Sequence, residues 1–372
     1  MAFRRSRRIV ILYCGMQFGL LGNPENRRVA YFAAACKHFD LPPPLVFSWQ
    51  SYLESPESIH RLMEKVDFMR MDSPAENASV TKKLIELGNR KLKPTIRFGQ
   101  ITWLKEYYMG FSKILDILSE QRITWMNSPS DIRIMFDKWA SHQRFKQKNL
   151  PRPATELVPE SIQAFRDKRS QEGRIFLKPL YASSASGVCA YQWSDKNEQL
   201  IGPIEIVKKG AQVILYNSLR VRKYNMREDI DAILQTLLPQ CMLQEAWLPK
   251  AKVDGKNLDL RIVVIAGKAS HWVIRQSSHP MTNLHLGNTR GNREALINVH
   301  GPKVLEDCFS LAEQAAACFR NSLYAGVDIM FNRRGQPYVL EINAFGDLLP
   351  GILHEGLDTY TTEVKALRSR VS

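Results

Sequence analysis

The sequence predicts a mixed α/β and α+β protein, in which a parallel sheet covered by helices comes first and mainly antiparallel sheets follow. In the first third, short apolar runs alternate with amphipathic segments, and this β-α-β alternation is typical of a parallel sheet. After residue 125, strand-like runs follow one another across short turns, which indicates antiparallel pairing. The chain has 372 residues, 44% hydrophobic and 24% charged, so it can fill two or three separate cores.

The N-terminal third gives clear strand and helix signals. Residues 8–15 (RIVILYCG) and 44–49 (PLVFSW) are apolar runs of strand length. Between them, residues 22–42 carry helical apolar spacing, with Asn23 as the predicted N-cap. Residues 72–90 predict another capped helix. The glycines of this region do not form G-x-G-x-x-G, so we expect a plain strand-to-helix turn and no dinucleotide-binding loop.

Strand-like runs dominate the rest of the chain, with two helical exceptions. Residues 127–155 predict a capped helix or a broken pair of helices, and residues 303–323 predict one amphipathic helix. The predicted strands are residues 174–181, 187–193, 212–224, 241–248, 259–267, 270–277, 325–331 and 337–343. We expect this region to fold into antiparallel sheets.

Two acidic residues interrupt apolar runs near the C-terminus. A hairpin centred between Arg334 and Gly335 would place Asp328 directly opposite Glu341, where two carboxylates repel each other. A bound cation converts this repulsion into ligation, and Asn343 adds an oxygen on the same face because alternate strand residues share a face. Such oxygen ligands around an open site favour Mg²⁺. A solvated acidic pair is the alternative, which the apolar surroundings disfavour.

A candidate phosphate-binding segment lies in the middle of the chain. Lys178 belongs to a predicted strand and is followed by a loop of small residues from Ala182 to Gly187. Such a loop can present its backbone N–H groups to a phosphate chain without steric obstruction. No Walker A motif occurs in the sequence. A serine-rich surface loop is the alternative interpretation.

The formal net charge of +15 requires an explanation. Binding to nucleic acid is one, but the basic residues are scattered and no recognition-helix or RNP pattern accompanies them. A phosphorylated or carboxylate-rich ligand explains the charge equally well. We therefore do not expect a nucleic-acid partner.

No apolar stretch has the length of a membrane span, so no membrane partner is expected. The basic N-terminus precedes an apolar run too short for a secretory signal. The six cysteines form no C-x-x-C pair, which predicts reduced core cysteines with no disulfide framework and no zinc site. These features predict a cytoplasmic protein.

Seven motifs together carry a resemblance to a known family. They are DKWA around Lys138, FLKP with SSASGV, LQEAWL, DLRIVVI, TNLHLGN, GVDIMF and VLEINAFGD. In this order they resemble the ATP-grasp superfamily, and are most similar to its branch of peptide and protein carboxylate–amine ligases. The resemblance covers roughly residues 125–355. It implies a Rossmann-like pre-ATP-grasp domain (1–125) followed by a two-subdomain ATP-grasp fold with mainly antiparallel sheets (126–205 and 206–372).

The resemblance also implies how ATP would be bound. The residues expected at its phosphates are Lys138, Lys178, Ser183, Ser184, Ser186 and Gly187. Glu245 would accept a hydrogen bond from the adenine amine, or Gln244 if the register slips, while the backbones of Ala246 and Leu248 would read the ring edge. A buried structural role for Glu245 is the alternative. Asp328, Glu341 and Asn343 would hold one or two Mg²⁺ ions, for which Mn²⁺ could substitute.

The reacting end of ATP would be lined by Arg261, Arg275, Asn283 and His285. A planar guanidinium suits both a transferring phosphoryl group and an acyl phosphate. A structural role for His285 is the alternative. The relatives often follow the strand Asn with a small residue, Pro and Gly, whereas this chain has Asp347 there, so substrate identity does not transfer. Asp347 would contact an amine or cap a helix.

The expected reaction has two steps. A small-molecule or peptide carboxylate attacks the γ-phosphate, and an amine then captures the acyl phosphate to give an amide, ADP and phosphate. One alternative is an ATP-grasp kinase that phosphorylates a small molecule. Another is a non-catalytic nucleotide-binding protein whose basic surface contacts nucleic acid. A homo-oligomer is compatible with the sequence, and residues 215–233 carry no function that the motifs explain.

Overall fold

The computed structural model describes residues 15–210, 212–345 and 349–371. Its N-terminal part contains a three-stranded parallel sheet in the order β2-β1-β3. The strands are β1 (Phe18–Gly22), β2 (Leu45–Ser48) and β3 (Phe68–Met71). The parallel sheet and the strand at β2 confirm the prediction for this region. Of the strand predicted over 8–15, residues 8–14 lie outside the described residues, and Gly15 is not in a strand.

Helices cover this sheet as the alternating pattern predicts. They are α1 (Arg27–His38), α2 (Trp49–Glu54), α3 (Pro56–Met63), α4 (Ala78–Gly88) and α5 (Leu104–Ser119). The N-cap predicted at Asn23 is wrong, because Asn26 caps α1. The side chain of Asn23 is buried and donates instead to the carbonyl oxygens of Pro74 and Ala75. It therefore joins the loops after β1 and β3.

A second sheet of six antiparallel strands has the order β4-β9-β5-β6-β7-β8. Its strands are β4 (Thr155–Leu157), β5 (Gly173–Pro179), β6 (Cys189–Trp193), β7 (Glu198–Lys209), β8 (Gln212–Tyr224) and β9 (Met242–Ala246). The accompanying helices are α6 (Pro129–Phe136), α7 (Lys138–Gln147), α8 (Ile162–Asp167) and α9 (Arg227–Leu237). The break at Asp137 confirms the predicted helix pair. Because β7 crosses residue 205, we propose that the division between the two grasp subdomains follows β9.

The third sheet is also antiparallel, with the order β13-β12-β11-β14-β15 and β10 paired to β11. Its strands are β10 (Lys252–Val253), β11 (Lys256–Ile265), β12 (Lys268–Ser277), β13 (Thr289–Arg290), β14 (Tyr324–Phe331) and β15 (Pro337–Asn343). The helices of this part are α10 (Arg293–His300), α11 (Lys303–Ala316) and α12 (Thr359–Val371). The predicted amphipathic helix is α11, whose apolar face packs against β14 and β15.

One continuous apolar cluster joins the N-terminal sheet to the third sheet. It includes Leu21 and Met71 from the first sheet, Phe111 from α5, and Val327 and Ile342 from β14 and β15. Burial of this surface stabilises the arrangement by roughly 25 cal/mol per Å² of apolar area. The N-terminal domain is thus held against the sheet that carries Asp328 and Glu341. No helix among the described residues is both long and apolar enough to cross a membrane.

A buried charge cluster attaches α12 to the N-terminal domain. Arg70 on β3 is 1% exposed, donates to Asp72 at 3.0 Å and to Glu363 of α12. Three aromatic rings surround its guanidinium, those of Phe32, Tyr324 and Tyr360. Burial raises the pKa of Glu363 to about 8, although Arg70 opposes that shift. The carboxyl group of Glu363 therefore gains a proton on folding over a wide range of pH.

This cluster predicts that the fold becomes less stable as pH rises from about 4.5 to about 8. The pKa of Glu363 rises from 4.5 to about 8 on folding. The stabilising contribution of Glu363 is complete below its pKa in the unfolded state and is lost as pH rises through its pKa in the folded state. The free energy of unfolding in urea should fall by up to about 1.4 kcal/mol per pH unit across this window, and Glu363→Gln should flatten the fall. The control is Glu306→Gln at an exposed position. Equal pH slopes for both variants and the wild type would contradict the prediction.

Candidate active site

Two connected cavities lie between the second and third sheets. The inner cavity, of about 120 Å³, is enclosed by β5, β9, β11, β14 and β15. The outer cavity, of about 820 Å³, extends from there to the N-terminal domain. The residues at their junction border both cavities and are Lys138, Ala182, Ser183, Ser184, Ser186, Arg261, Arg275, Asn283, Glu341 and Asn343. A ligand in the inner cavity would therefore meet a second ligand in the outer cavity at this junction.

The acidic pair occupies the predicted register. Asp328 on β14 lies directly opposite Glu341 on β15, and Asn343 lies opposite Gly326. The pairing shifts by one residue after Asp328, so that Ile329 faces Val339. A bulge at this point therefore separates the acidic pair from the turn. The predicted pairing of the two carboxylates is confirmed.

Cations from other elements compensate the two carboxylates. Arg261 of β11 donates from Nε and Nη2 to Asp328, the latter at 3.1 Å, and Arg275 of β12 approaches Asp328 at 3.2 Å. Lys138, at the start of α7, lies 3.0 Å from Glu341. Burial opposes the ionisation of Glu341, but Lys138 and then Lys178 outweigh it and lower the pKa of Glu341. Glu341 is thus held as a carboxylate.

The donor set fits a hard divalent cation. Asp328 and Glu341 provide two carboxylates. Asn343 Nδ2 makes a long contact of 3.5 Å with the Gly326 carbonyl oxygen, and the amide oxygen of Asn343 accepts no hydrogen bond from the residues that the structure describes. Within residues 15–210, 212–345 and 349–371, no group of three or more His, Cys, Asp or Glu comes together. A cation here would therefore use two carboxylates and an amide, and complete its shell with oxygens of water or substrate, as Mg²⁺ does.

A second buried ion pair lies deeper in the inner cavity. Both carboxylate oxygens of Glu245 on β9 accept from Lys178 on β5, each at 2.8 Å. His142 lies 3.8 Å from the same carboxylate. Burial lowers the pKa of His142 to about 4 despite Glu245, so this imidazole is neutral near pH 7. With its carboxylate engaged, Glu245 fits the structural role that the sequence left open better than the role of an adenine acceptor.

The small-residue loop adopts a strained backbone. Ser184 and Ala185 have φ of 55° and 59°, in the left-handed region that residues with a Cβ rarely adopt. Gly187 has φ of 68°, and a Cβ there would lie 2.9 Å from Pro179 Cγ. The Nζ of Lys138 donates to the Ala182 carbonyl oxygen at 2.5 Å, which ties the loop to the acidic pair. Strained backbone of this kind is characteristic of ligand clamps.

Comparison with known proteins places this geometry in a family. The model of the YheC/D-like ATP-grasp family matches residues 123–346. The chain belongs to that family. No curated protein sequence matches the chain.

Three solved structures illustrate the shared ATP-grasp fold. The D-cycloserine synthetase DcsG has a TM-score of 0.55 and 13% identity over 96% of this chain and 100% of its own. PsnB, an ATP-grasp ligase complexed with precursor peptide PsnA2 and AMPPNP, has a TM-score of 0.52 and 16% identity over 96% and 98%. A Chryseobacterium gregarium RiPP-associated ATP-grasp ligase, in complex with ADP and a leader and core peptide, has a TM-score of 0.55 and 12% identity. The match covers 96% of this chain and 97% of that one. At these identities the likeness shows the fold alone.

The ATP-grasp cleft brings together most of the predicted residues. The inner cavity is also bordered by Lys178, Glu245, Ala246, Leu248 and Asp328. His285 borders only the outer cavity. Gln244 borders neither cavity, and its amide donates to Glu156 at 2.8 Å, which favours Glu245 over the alternative register. Gly187 also borders neither and serves the loop through its backbone. Asp347 lies outside the described residues.

Sequence reasoning missed a buried polar group in the ATP-grasp cleft. Asp259 on β11 accepts from Arg275 at 2.7 Å, from Lys250 at 3.0 Å and from Thr282. Burial opposes its ionisation, but Arg275 and Lys250 hold the pKa of Asp259 well below its ordinary value. The position of Asp259 two residues before Arg261, on the same face of one strand, is a signal that could have found it.

The Lys178–Glu245 pair predicts separable effects on stability and binding. Lys178→Met should reduce the free energy of unfolding by about 3 kcal/mol, because it leaves a buried carboxylate without its partner. Adding Glu245→Gln should restore most of the lost free energy of unfolding. ATP affinity should be lower than that of the wild type in both the single and the double variant. Urea unfolding and calorimetric titration with ATP measure the two quantities. The matched control, Lys83→Met, breaks an exposed Lys–Glu pair and should cost under about 1 kcal/mol. Equal costs at the two sites would contradict the assignment.

Proposed function

We propose that the chain is an ATP-dependent carboxylate–amine ligase that forms an amide through an acyl phosphate and releases ADP and phosphate. The observation that carries this proposal is the opposed pair Asp328 and Glu341, of which Glu341 borders both cavities and Asp328 borders the inner one. Lys138 and Arg261 contact this pair. A junction that combines carboxylates with cations suits the transfer of a phosphoryl group from one bound substrate to another. Membership of the ATP-grasp family supports the nucleotide as the donor.

ATP would place its adenine in the inner cavity, at the strand end after β9, and extend its phosphates to the junction with the outer cavity, because about 120 Å³ is too small for the whole nucleotide. Ala246 and Leu248 border the inner cavity, and their backbones would read the ring edge. The phosphates would lie under the loop and take Lys178 and Lys138 as partners. When bound, Mg²⁺ at Asp328, Glu341 and Asn343 would neutralise phosphate charge. Lys138 would then exchange its contact with Glu341 for a phosphate oxygen.

The second substrate would enter through the outer cavity. Its carboxylate oxygen forms a bond to the γ-phosphorus, and the bond from that phosphorus to the β–γ bridging oxygen breaks, which releases ADP. An amine nitrogen then attacks the acyl carbon, phosphate leaves, and the nitrogen loses a proton. Arg261 and Arg275 border both cavities and would stabilise the charge on the transferring group. Closure of the loop from Ala182 to Gly187 would exclude water from the acyl phosphate.

The size of the outer cavity and two of the structural neighbours support a peptide as one substrate. The descriptions of those neighbours name a precursor peptide, or a leader and core peptide. The cavity of about 820 Å³ is open at the N-terminal domain and has room for more than a free amino acid. We propose a peptide or small-molecule carboxylate and an amine as the substrates, in a cytoplasmic enzyme.

The metal site is tested by calorimetric titration of ATP with and without Mg²⁺. Mg²⁺ should strengthen ATP binding to the wild type by at least about tenfold, because the wild type has both carboxylates to hold the ion. The double variant Asp328→Asn with Glu341→Gln should lose that enhancement. The control, Glu306→Gln with Asp307→Asn, removes two carboxylates from the exposed face of α11 and should keep it. An enhancement that survives in the double variant would contradict the metal site.

The reaction class is tested by quantifying ADP and free phosphate from the same incubation with pools of dipeptides and amino acids. A ligase should release the two products in equal amounts, and hydroxylamine should intercept the acyl phosphate as a hydroxamate. ADP without free phosphate would instead assign the site to a kinase. Saturable binding of ATP without turnover, in every pool, would favour a non-catalytic nucleotide-binding protein.

A further inference from the structure

An exposed surface beside the outer cavity has no part in the chemistry above. It lies on β8, at the edge of the second sheet, within the segment 215–233 whose function the motifs left unexplained. Pairing of β8 with β7 runs from Gly202 opposite Arg222 to Ile204 opposite Asn217. Four residues, 218–221, therefore bulge out opposite one residue of β7. Their backbone groups are left out of the ladder.

A second segment is attached to this bulge. The Asn217 amide donates to the Gly99 carbonyl oxygen at 2.6 Å, and the Ile101 amide donates to the Leu215 carbonyl oxygen at 2.9 Å. Phe98 is thereby held beside the bulge. Its side chain is fully exposed, and Leu219 in the bulge is 76% exposed. Large apolar side chains exposed together on a well-formed scaffold indicate a binding surface.

The same surface adjoins residues that line the two cavities. Val221, at the end of the bulge, packs in one apolar cluster with Leu286 and with Ala185 of the small-residue loop. On its other side, Gln100 and Trp103 follow Phe98 and line the outer cavity. We call the exposed residues here the docking rim, which comprises Arg97, Phe98, Leu219, Arg220 and Lys223. A chain bound on it would lead directly into the outer cavity.

The charge of the docking rim is basic. Arg97, Arg220 and Lys223 are exposed and form no ion pair with any residue in the part of the chain that the structure describes. The neighbouring Arg222 differs, since it lies 3.0 Å from Glu205. Basic side chains that alternate with exposed apolar ones complement a chain that carries acidic and apolar residues together. Complementarity of this kind guides encounter and fixes register more than it adds affinity.

We propose that the docking rim binds an acidic polypeptide segment with apolar side chains and guides it toward the outer cavity. The idea that this segment carries the carboxylate or amine substrate rests on the proposed ligase function; the binding itself does not. A second copy of the chain would bring its own charge of +15 and be repelled. A nucleic acid would find one aromatic ring and an aliphatic Leu219, not a stacking platform. The Arg220 amide donates to Ser218 Oγ at 3.1 Å, but the bulge is not paired with β7, and its remaining backbone groups suit a peptide main chain.

Fluorescence anisotropy with the full-length protein tests this proposal. The probe is a fluorescein-labelled peptide of Glu-Glu-Leu repeats, compared with Lys-Lys-Leu repeats and single-stranded oligo-dT. The wild type should bind the acidic probe, and it should bind less tightly at high salt. Two variants, the double variant Leu219→Ser with Arg220→Glu and the single variant Phe98→Ser, should each weaken binding by about tenfold or more. The matched control, Arg61→Glu with Leu62→Ser, changes a similar exposed pair on α3 and should bind as the wild type does.

Several results would overturn the docking rim. These are no binding of the acidic probe, equal binding by all variants, tighter binding of oligo-dT, or self-association that Leu219→Ser with Arg220→Glu abolishes. Calorimetric ATP titration and ADP release, measured on the same variants, keep the two proposals apart. Failure of peptide binding with intact ATP turnover contradicts the docking rim alone. Intact peptide binding without any turnover supports the docking rim and contradicts the ligase function.

Discussion

The structure depends on two carboxylates that face each other across a buried strand pair. Asp328 and Glu341 repel each other unless positive charge lies close by, and three elements outside the hairpin supply it. Lys138 comes from the start of α7, Arg261 from β11 and Arg275 from β12. Because these cations originate in different parts of the fold, the helices and sheets must meet at this point for the hairpin to be stable. The site is therefore also where the fold is assembled.

The charges of the cleft are arranged as internal pairs, and this shapes how a ligand can bind. Lys178 is held by Glu245, and Arg275 by Asp259 as well as Asp328. Removing one member of such a pair leaves an uncompensated buried charge, whereas exchanging partners keeps every charge compensated. A phosphate chain with a divalent cation makes that exchange possible, since the cation takes the carboxylates and the phosphates take the lysines. Neutral ligands offer no such exchange, which supports a metal–polyphosphate pair as the proposed ligand of the cleft.

Local patterns in the sequence were sufficient where the structure is local. The turn signal and strand alternation predicted Asp328 opposite Glu341, but the hairpin turn centres on Arg334 and not between Arg334 and Gly335. The predicted pairing of the two acids is nevertheless found because a bulge after Asp328 makes up the difference, and that bulge has no sequence signature. Contacts between distant segments were beyond such patterns. The predicted start of α1 was wrong because the Asn23 side chain donates to a loop carbonyl oxygen far along the chain, that of Ala75. Lys178 meets Glu245 only because β5 pairs with β9, and no periodicity in either strand specifies that partner.

The small-residue loop from Ala182 to Gly187 and the acidic pair are not independent of each other. Lys138 contacts the Ala182 carbonyl oxygen in the loop and Glu341 in the pair, so a ligand that draws Lys138 away from Glu341 also changes what holds the loop. The loop is strained at Ser184 and Ala185, and Ala185 packs with Val221 from the β8 bulge. Strain of this kind persists only when surrounding contacts enforce it. The contacts that enforce it come from the charge site on one side and from the bulge on the other. The loop conformation therefore depends on contacts from both places.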